Sequence, residues 1–408
     1  MIGKKICVIG LGYIGLPTAV LFANNGFDVV GVEKNMKVLK TLDSGNIHIE
    51  EPELNKIALK VIKKKKFKYN SLAQIADIFI ICVPTPIKYE ENNKPDLSYV
   101  KTAIKEIIPL LRSGNLVILE STSPVGTTDF IVNMINKHRK DINNIKIAYC
   151  PERVLPGNII QEMINNDRIV GGINSASTKH ASDVYKKICK GNVLETDAKT
   201  AELCKLAENS YRDINIAFAN ELSLICEAEK INVNNLIKLA NKHPRVDILK
   251  PGIGVGGHCI PIDPWFIFAS YPNYSSLIQT ARKVNNAKTD WIYSKIIEKI
   301  NLLNKKKIKI ACLGLSYKPD VGDMRESPAL KIYEKLDKEG FDVVGVEPNI
   351  EVYKNYKLIS LKKAIKISDL IVILVGHKLF INNLNLKSAK HVIDFCGINY
   401  EIKKKHIN

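Results

Sequence analysis

Cys259 stands near the end of PGIGVGGHCIPIDPW (Pro251–Trp265), after Gly252, Gly254, Gly256 and Gly257. Glycine at that density lets backbone approach a ligand closely. A thiol set there differs from a cysteine inside an apolar strand and is a candidate nucleophile. Asp263 follows four residues later. Upstream, Lys205 and Asn209 are four apart in a stretch that reads as helix, so they share a face, with Arg212 nearby. A lysine beside a thiol favours the thiolate.

A second group of residues points to a different chemistry. Gly10, Gly12 and Gly15 form the G-x-G-x-x-G pattern around Tyr13 and Ile14, between a short apolar strand and a helix-like run. Glu33 ends the next strand, 18 positions past Gly15. In this strand–turn–helix–strand–acid setting, the pattern predicts a dinucleotide site. The glycines bring backbone to a pyrophosphate at a helix N-terminus. Glu33 would bond the adenine ribose hydroxyls and repel a 2′-phosphate, so NAD is expected rather than NADP.

GFDVVGVEKN (Gly26–Asn35) returns as GFDVVGVEPN (Gly340–Asn349), with nine of ten residues the same. ICVIGLGYIGLP aligns with IACLGLSYKPD, so one scaffold occurs twice. In the second copy Gly314 survives, Ser316 replaces the middle glycine and Pro319 the last. The turn glycine stands 16 positions before the repeated segment in the first copy (Gly10 to Gly26) and 26 in the second (Gly314 to Gly340). The second turn carries Lys318, Asp323 and Arg325, and its cations suit phosphate oxygens. One half is therefore expected to hold NAD and the other a different phosphate-bearing molecule.

The elements that position these groups alternate. ICVIG, FDVVGVE, IFIICV (Ile78–Val83), NLVILE (Asn115–Glu120), IKIAYC (Ile145–Cys150) and RIVGG (Arg168–Gly172) read as buried strands separated by helices. That order predicts a parallel sheet covered on both faces. Thr196–His243 contains neither glycine nor proline and predicts a long linking helix over about Lys199–Lys230, capped by Thr196 or Asp197, then a second over Val233–Lys242. Another helix is expected over Ser275–Asn304, before strands at Ile308–Gly314, VVGVEP, Leu370–Val375 and His391–Phe395. The fold class is α/β, with an N-terminal Rossmann NAD domain (1–196), a central helical domain (197–304) and a C-terminal Rossmann-like domain (305–408). The long helix is a candidate dimer interface.

With 408 residues, 46% of them hydrophobic and 25% charged, the chain reads as a soluble multidomain protein. No apolar run reaches the length of a membrane span, and the N-terminal MIGKKICVIGLGYIG reads as a strand and turn rather than a leader. The expected location is the cytoplasm. Nine cysteines without a C-x-x-C pair argue against a disulfide framework or zinc site, and no metal is expected. Cys7, Cys82, Cys150, Cys312 and Cys396 are expected to be inert core thiols. The net charge of +18 is concentrated in runs such as Lys63–Lys66, Lys305–Lys307 and Lys403–Lys405. These runs lack interleaved aromatic residues, so solvated surface is expected rather than a nucleic-acid site.

GLGYIGLP, VPTP, STSPVGTT, CPERVLPG, ELCKLAENSYRDINIAFANE, HPRVDILKPGIGVGGHCIPIDPW and GLSYKPDVGDMRESPAL together resemble the nucleotide-sugar 6-dehydrogenases, over nearly the whole chain. The resemblance implies oxidation of a UDP-sugar primary alcohol to a carboxylate with two NAD⁺, through a thiohemiacetal and a thioester on Cys259. It implies that Lys205 steadies a developing oxyanion with help from Asn209, and that Asp263 orients a water or tunes Lys205. Thr85 and Thr122 would line the cofactor, with Arg325 reaching it. Tyr317 and Lys318 would hold the nucleotide sugar. Arg153 and Val154 would touch the sugar, near Arg212 and Gly256, while His243 and Arg245 would reach a neighbouring subunit's substrate. PERVLPG, HPRV and VGGHCIPIDPW look like the N-acetylmannosamine branch, with UDP-N-acetylglucosamine as the alternative substrate and UDP-glucose behind it. Where UDP-glucose dehydrogenases carry a second glutamate four residues after the Pro-Glu acid, this chain has Pro156, so the hydrolytic base stays open. A non-catalytic nucleotide-sugar sensor on the same scaffold is the reading from another functional class.

Overall fold

The computed structural model describes residues 3–49, 51–91, 93–155, 157–354, 356–383 and 390–398; Pro156 and the Lys403–Lys405 run lie outside these. The chain divides into two compact units, Met1–Glu208 with Trp265–Ser270, and Asn209–Pro264 with Tyr271–Asn408.

Among the described residues, ten strands lie in the first unit: β1 (Lys5–Ile9), β2 (Asp28–Val32), β3 (Phe67–Asn70), β4 (Ile78–Ile81), β5 (Ile87–Lys88), β6 (Lys94–Pro95), β7 (Leu116–Leu119), β8 (Lys146–Tyr149), β9 (Arg168–Gly172) and β10 (Val193–Asp197). Among the described residues, eight form one sheet in the order β10-β9-β8-β7-β4-β1-β2-β3, and β5 pairs with β6. Successive residues of the central strands feed two separate cores. Ile6, Val8, Ile78, Ile80, Leu116 and Ile118 pack into one. Cys7, Ile9, Phe79, Ile81, Val117 and Leu119 pack into the other. Both faces are thus covered, which is why these strands are apolar at every position but Lys5.

The sheet is not wholly parallel. β8 and β9 pair antiparallel through Ala148–Gly172 and Tyr149–Gly171. The helix between them, Ile159–Asn165, has seven residues. β9 runs back along β8, and β10 runs parallel to β9. The expectations also omitted β3 and β10, the two edge strands, whose residues are partly exposed and form no continuous apolar run.

The second unit contains β11 (Lys309–Leu313), β12 (Asp342–Val346), β13 (Leu370–Ile373) and β14 (His391–Asp394), in the order β12-β11-β13-β14, all parallel. The repeated segment has one physical cause in both sheets. Strand pairing runs Lys5–Asp28 to Ile9–Val32 in one and Lys309–Asp342 to Leu313–Val346 in the other. Gly10 N donates to Val32 O and Gly314 N to Val346 O, each at 2.8 Å, and both glycines have positive φ. A Cβ on Gly31 would meet Leu11 at 2.7 Å, and one on Gly345 would meet Leu315 at 2.6 Å. The shared VVGVE is the surface on which the leucine after each turn glycine packs.

The long helix covers Ala198–Ala228, 31 residues or about 46 Å, and the boundary between units falls within it. Asp197 caps it, accepting from Thr200 N at 2.9 Å. Within the second unit, Asp213 and Asn220 of this helix engage the Ser276–Leu302 helix. Arg282 Nη1 donates to Asp213 Oδ1 at 2.6 Å, Asn285 Nδ2 to the same oxygen at 2.8 Å, and Asn220 Nδ2 to Asn285 Oδ1 at 2.9 Å.

Candidate active site

The turn after β1 is closed by steric necessity. A Cβ on Gly10 would lie 2.5 Å from Cys82 O, and one on Gly15 would lie 1.9 Å from Gly10 O. At Gly12 a Cβ would meet nothing within 4 Å. Two glycines therefore make the turn, and the third leaves its outer side clear for a ligand to approach. The Gly15–Asn24 helix begins at Ile14 without a side-chain cap and without an acidic residue in its first turn, which suits a pyrophosphate. Tyr13 is 40% exposed, and Ile14 packs on the core below.

Thr85 and Thr122 are half-buried and follow β4 and β7. β1, β2, β4 and β7 are parallel and in register at Ile9, Val32, Ile81 and Leu119. Gly10–Gly15, Glu33, Thr85 and Thr122 therefore share the carboxyl edge of one sheet, where doubly wound folds bind nucleotides. Glu33 is half-buried; it accepts from Leu11 N at 3.1 Å and from Asn35 N at 2.8 Å, so its carboxylate is oriented while part of it faces solvent. These residues fit NAD. Glu33→Gln keeps the shape and removes the charge. Its KM for NAD is expected to rise about tenfold, with weakened discrimination against NADP. Initial rates with both cofactors check this, and an unchanged KM for NAD would remove Glu33 from the cofactor site.

Beneath this edge lies a buried polar cluster that was not expected from the sequence. Glu120, after β7, accepts from Thr18 Oγ1 (3.0 Å), Cys82 Sγ (3.0 Å) and Tyr185 OH (2.5 Å). Arg168 lies 4.0 Å from Glu120, pairs with Glu152 at 2.6 Å and stacks over the Tyr185 ring. Burial pushes the Glu120 carboxyl and the Cys82 thiol up. The signal was present in the sequence: charged residues bound two apolar strands, NLVILE and RIVGG, and a charge in such a setting needs a buried partner. Glu152 Oε1 also accepts from Arg153 N at 2.8 Å, so this acid anchors the Pro-Glu-Arg stretch. Arg153 donates to Glu208 Oε1 at 2.6 Å and to Asp167 O. Val154 packs against the sheet core.

Glu202 was likewise missed. It is fully buried on the long helix, three residues before Lys205. Its carboxylate accepts from Gly126 N (2.6 Å), Thr128 N (2.7 Å) and Thr128 Oγ1 (2.6 Å). It thereby caps the Thr127–His138 helix and ties the STSPVGTT loop, with Thr122, to the turn that carries Lys205. Lys205 itself is 8% exposed, an uncommon place for an ammonium group.

In the second unit, Cys259 O accepts from Ile262 N (3.0 Å) and Asp263 N (2.8 Å), a turn that starts the Asp263–Ser270 helix. Asn209 Nδ2 donates to Asp263 Oδ2 at 2.5 Å. Asn209, Asp263 and Cys259 are thus brought together. The loop is pinned upstream, where Gly252 N donates to Asn220 Oδ1 at 2.8 Å. It also packs against the second turn: a Cβ on Gly256 would meet Tyr317 Cβ at 2.7 Å, and Gly257 N donates to Arg325 O at 3.1 Å. Lys318 is exposed, and Arg325 forms a bidentate pair with Asp323. Arg212, His243 and Arg245 are exposed, the last two joined by Arg245 N donating to His243 Nδ1 at 3.3 Å. Among the described residues no group of acids, histidines and cysteines could hold a metal.

The remaining cysteines separate from Cys259 in part as expected. Burial raises Cys7 to about 11 and both Cys150 and Cys312 to about 12, so they stay thiols. Two expectations are corrected. Cys396 is exposed, because it follows β14 in a turn rather than lying within it. Cys82 lies just past the end of β4 rather than within it and is half-buried, but against Glu120 its thiol is still pushed up by burial, as expected of an inert one.

Comparison with known proteins finds one family along the chain. Residues 4–189 match the NAD binding domain of the UDP-glucose/GDP-mannose dehydrogenase family, residues 199–287 its central domain, and residues 311–399 its UDP binding domain. A UDP-N-acetyl-D-mannosamine dehydrogenase of Campylobacter jejuni is 48% identical, over 96% of this chain and 99% of the relative. An NDP-N-acetyl-D-galactosaminuronic acid dehydrogenase of Ralstonia nicotianae is 42% identical, over 92% of each chain. The solved UDP-D-ManNAc dehydrogenase of Pyrococcus horikoshii superposes with a TM-score of 0.89 at 39% identity, covering 97% of this chain and 96% of the other. With a glycine turn, a cysteine loop and a second sheet all falling inside these matches, the chain belongs to the UDP-glucose/GDP-mannose dehydrogenase family and is an NAD-dependent oxidoreductase.

Proposed function

We propose that the chain oxidises carbon 6 of UDP-N-acetyl-D-mannosamine from primary alcohol to carboxylate. The observation that carries the chemistry is Asn209 of the long helix bonded to Asp263, at the end of the turn that Cys259 starts, on a glycine-rich loop packed against Tyr317. Relatives of that name at 44–48% identity support the sugar. Bound NAD⁺ would supply the hydride acceptor, one for each of two oxidations.

The chain's own residues do the rest. Tyr317 and Lys318 hold the nucleotide sugar, with Gly256, Arg153, Val154 and Arg212 against the sugar and its phosphates. Gly10–Gly15, Glu33, Thr85, Thr122 and Arg325 hold the cofactor. Lys205 takes the hydroxyl proton and steadies negative charge on oxygen, with Asn209 hydrogen-bonding beside it. The Cys259 sulfur adds to the aldehyde carbon, so the intermediate cannot leave. After the second oxidation, water displaces the thiolate from the thioester, giving carboxylate and free Cys259. Asp263 orients that water or sets Lys205.

We also infer a homo-oligomer of cytoplasmic location, with the three-part division at 1–196, 197–304 and 305–408. Tyr211, Phe218 and Ile225, spaced by seven on the long helix, are all more than half exposed. That apolar seam suits a second copy of the chain, and His243 and Arg245 would then reach its substrate. Among the described residues no helix is long and apolar enough to cross a membrane.

A substrate panel with NAD tests the proposal. UDP-N-acetyl-D-mannosamine is expected to give the highest kcat/KM, by at least about tenfold over its gluco epimer. Faster turnover of UDP-N-acetylglucosamine or UDP-glucose would overturn the assignment.

A further inference from the structure

The two sheets differ in what satisfies the glutamate that ends their second strand. Glu33 takes Leu11 N on one oxygen and Asn35 N on the other, and stays half-buried. Glu347 makes the equivalent bonds, to Leu315 N at 2.9 Å and Asn349 N at 3.2 Å, and adds two more. Ser316 N donates to it at 2.9 Å, and His377 Nε2 lies 3.2 Å from Oε2. Both the Glu347 carboxylate and the His377 ring are fully buried.

The position of His377 can be read from strand register. Ile9 pairs with Ile81 in the first sheet and Leu313 with Ile373 in the second. Cys82 N donates to Ile9 O, and Leu374 N to Leu313 O, so the strand ends correspond. Four residues past Ile81 is Thr85; four past Ile373 is His377. The second sheet therefore sets an imidazole where the first has a threonine assigned to the cofactor.

The ring is locked on both nitrogens. Asp320 N donates to Nδ1 at 3.0 Å, and since a backbone amide can only donate, Nδ1 accepts and the proton is on Nε2, directed at Glu347. Burial alone would push the Glu347 carboxyl up, but the bonds from His377, Leu315 and Ser316 hold it below its ordinary value. The segment Leu315–Asp320 is thus held at both ends, by Leu315 N and Ser316 N on Glu347 and by Asp320 N on His377, with Tyr317 and Lys318 between them. Ser316 Oγ donates to Lys318 O at 2.9 Å and lies 3.4 Å from His377 Nε2. Asp320 Oδ1 in turn accepts from Lys378 N at 2.9 Å.

We infer that His377 is a positioning residue for the nucleotide half of the substrate. It occupies the place in the second sheet where a bound ribose would meet the strand-end glutamate, which closes that sheet to a dinucleotide, and it holds the Tyr317–Lys318 segment in its binding geometry. The inference rests on the proposed role of Tyr317 and Lys318. It accounts for the retained glutamate: in one sheet the acid recognises a ligand, and in the other the protein supplies the partner itself.

UDP binding to the full chain, measured by titration calorimetry, tests this without any oxidation, so failure of the substrate assignment and failure of the His377 assignment are separate observations. His377→Ala is expected to raise the Kd for UDP about 10- to 100-fold, while the Kd for NAD, measured the same way, stays within about twofold. Added imidazole is expected to restore UDP affinity to that variant. His377→Gln, whose amide can donate to Glu347 and accept from Asp320 N, is expected to bind UDP more tightly than His377→Ala and to guard against misfolding of the alanine variant. Wild-type UDP affinity in both folded variants, or an equal loss of NAD and UDP affinity without imidazole rescue, would overturn the proposal.

Discussion

Cys259→Ser is expected to stop acid formation, with a fall of about 10³-fold or more in NADH production from the UDP-sugar. The loop geometry explains why the loss should be so large. The Cys259 carbonyl starts the turn that places Asp263, and Asp263 holds Asn209. Serine keeps this turn while removing the sulfur proposed to capture the aldehyde and to leave from the thioester. A small effect would mean that the aldehyde is oxidised as its hydrate, with no covalent capture. Cys396→Ser is the control, because that thiol is exposed and distant in sequence from the loop; its rate is expected to stay within about twofold of wild type. Product analysis by mass spectrometry separates residual aldehyde from carboxylate.

Lys205→Met should be nearly as damaging, with kcat falling about 10²- to 10³-fold and the KM for the UDP-sugar changing little. Lys205 is 8% exposed and stands one helical turn before Asn209 and three residues after Glu202, whose carboxylate fixes that part of the helix to the STSPVGTT loop. Methionine preserves the buried stem and deletes the charge. Lys205→Arg restores charge but cannot readily exchange a proton, so it should recover only part of the loss. Steady-state kinetics decide the matter. A rise in KM with kcat intact would make Lys205 a binding residue and move the proton exchange elsewhere.

Much of this was legible because it is local. Gly10 and Gly15 are required by contacts with Cys82 and with each other, within one turn and the neighbouring strand. The repeat was legible because Leu11 on Gly31 and Leu315 on Gly345 are the same packing solution used twice. The long helix announced itself by lacking glycine and proline, and Asp197 was one of the two caps expected. What escaped depends on pairing between distant segments. Glu120, Glu152, Arg168 and Tyr185 come from four separate elements and meet only in the folded sheet. β9 lies antiparallel to β8, a direction that its own residues, RIVGG, do not encode. His377 reads as an ordinary loop residue until strand register places it opposite Glu347. Cys396 looked buried because HVIDF is apolar, yet β14 stops at Asp394.

A four-electron oxidation completed on one sulfur fixes the amount of NADH formed per molecule of UDP-N-acetyl-D-mannosamine consumed. Two NADH and one carboxylate per sugar, with no aldehyde released at any time point, is the predicted result. One NADH per sugar, with free aldehyde accumulating, would contradict it.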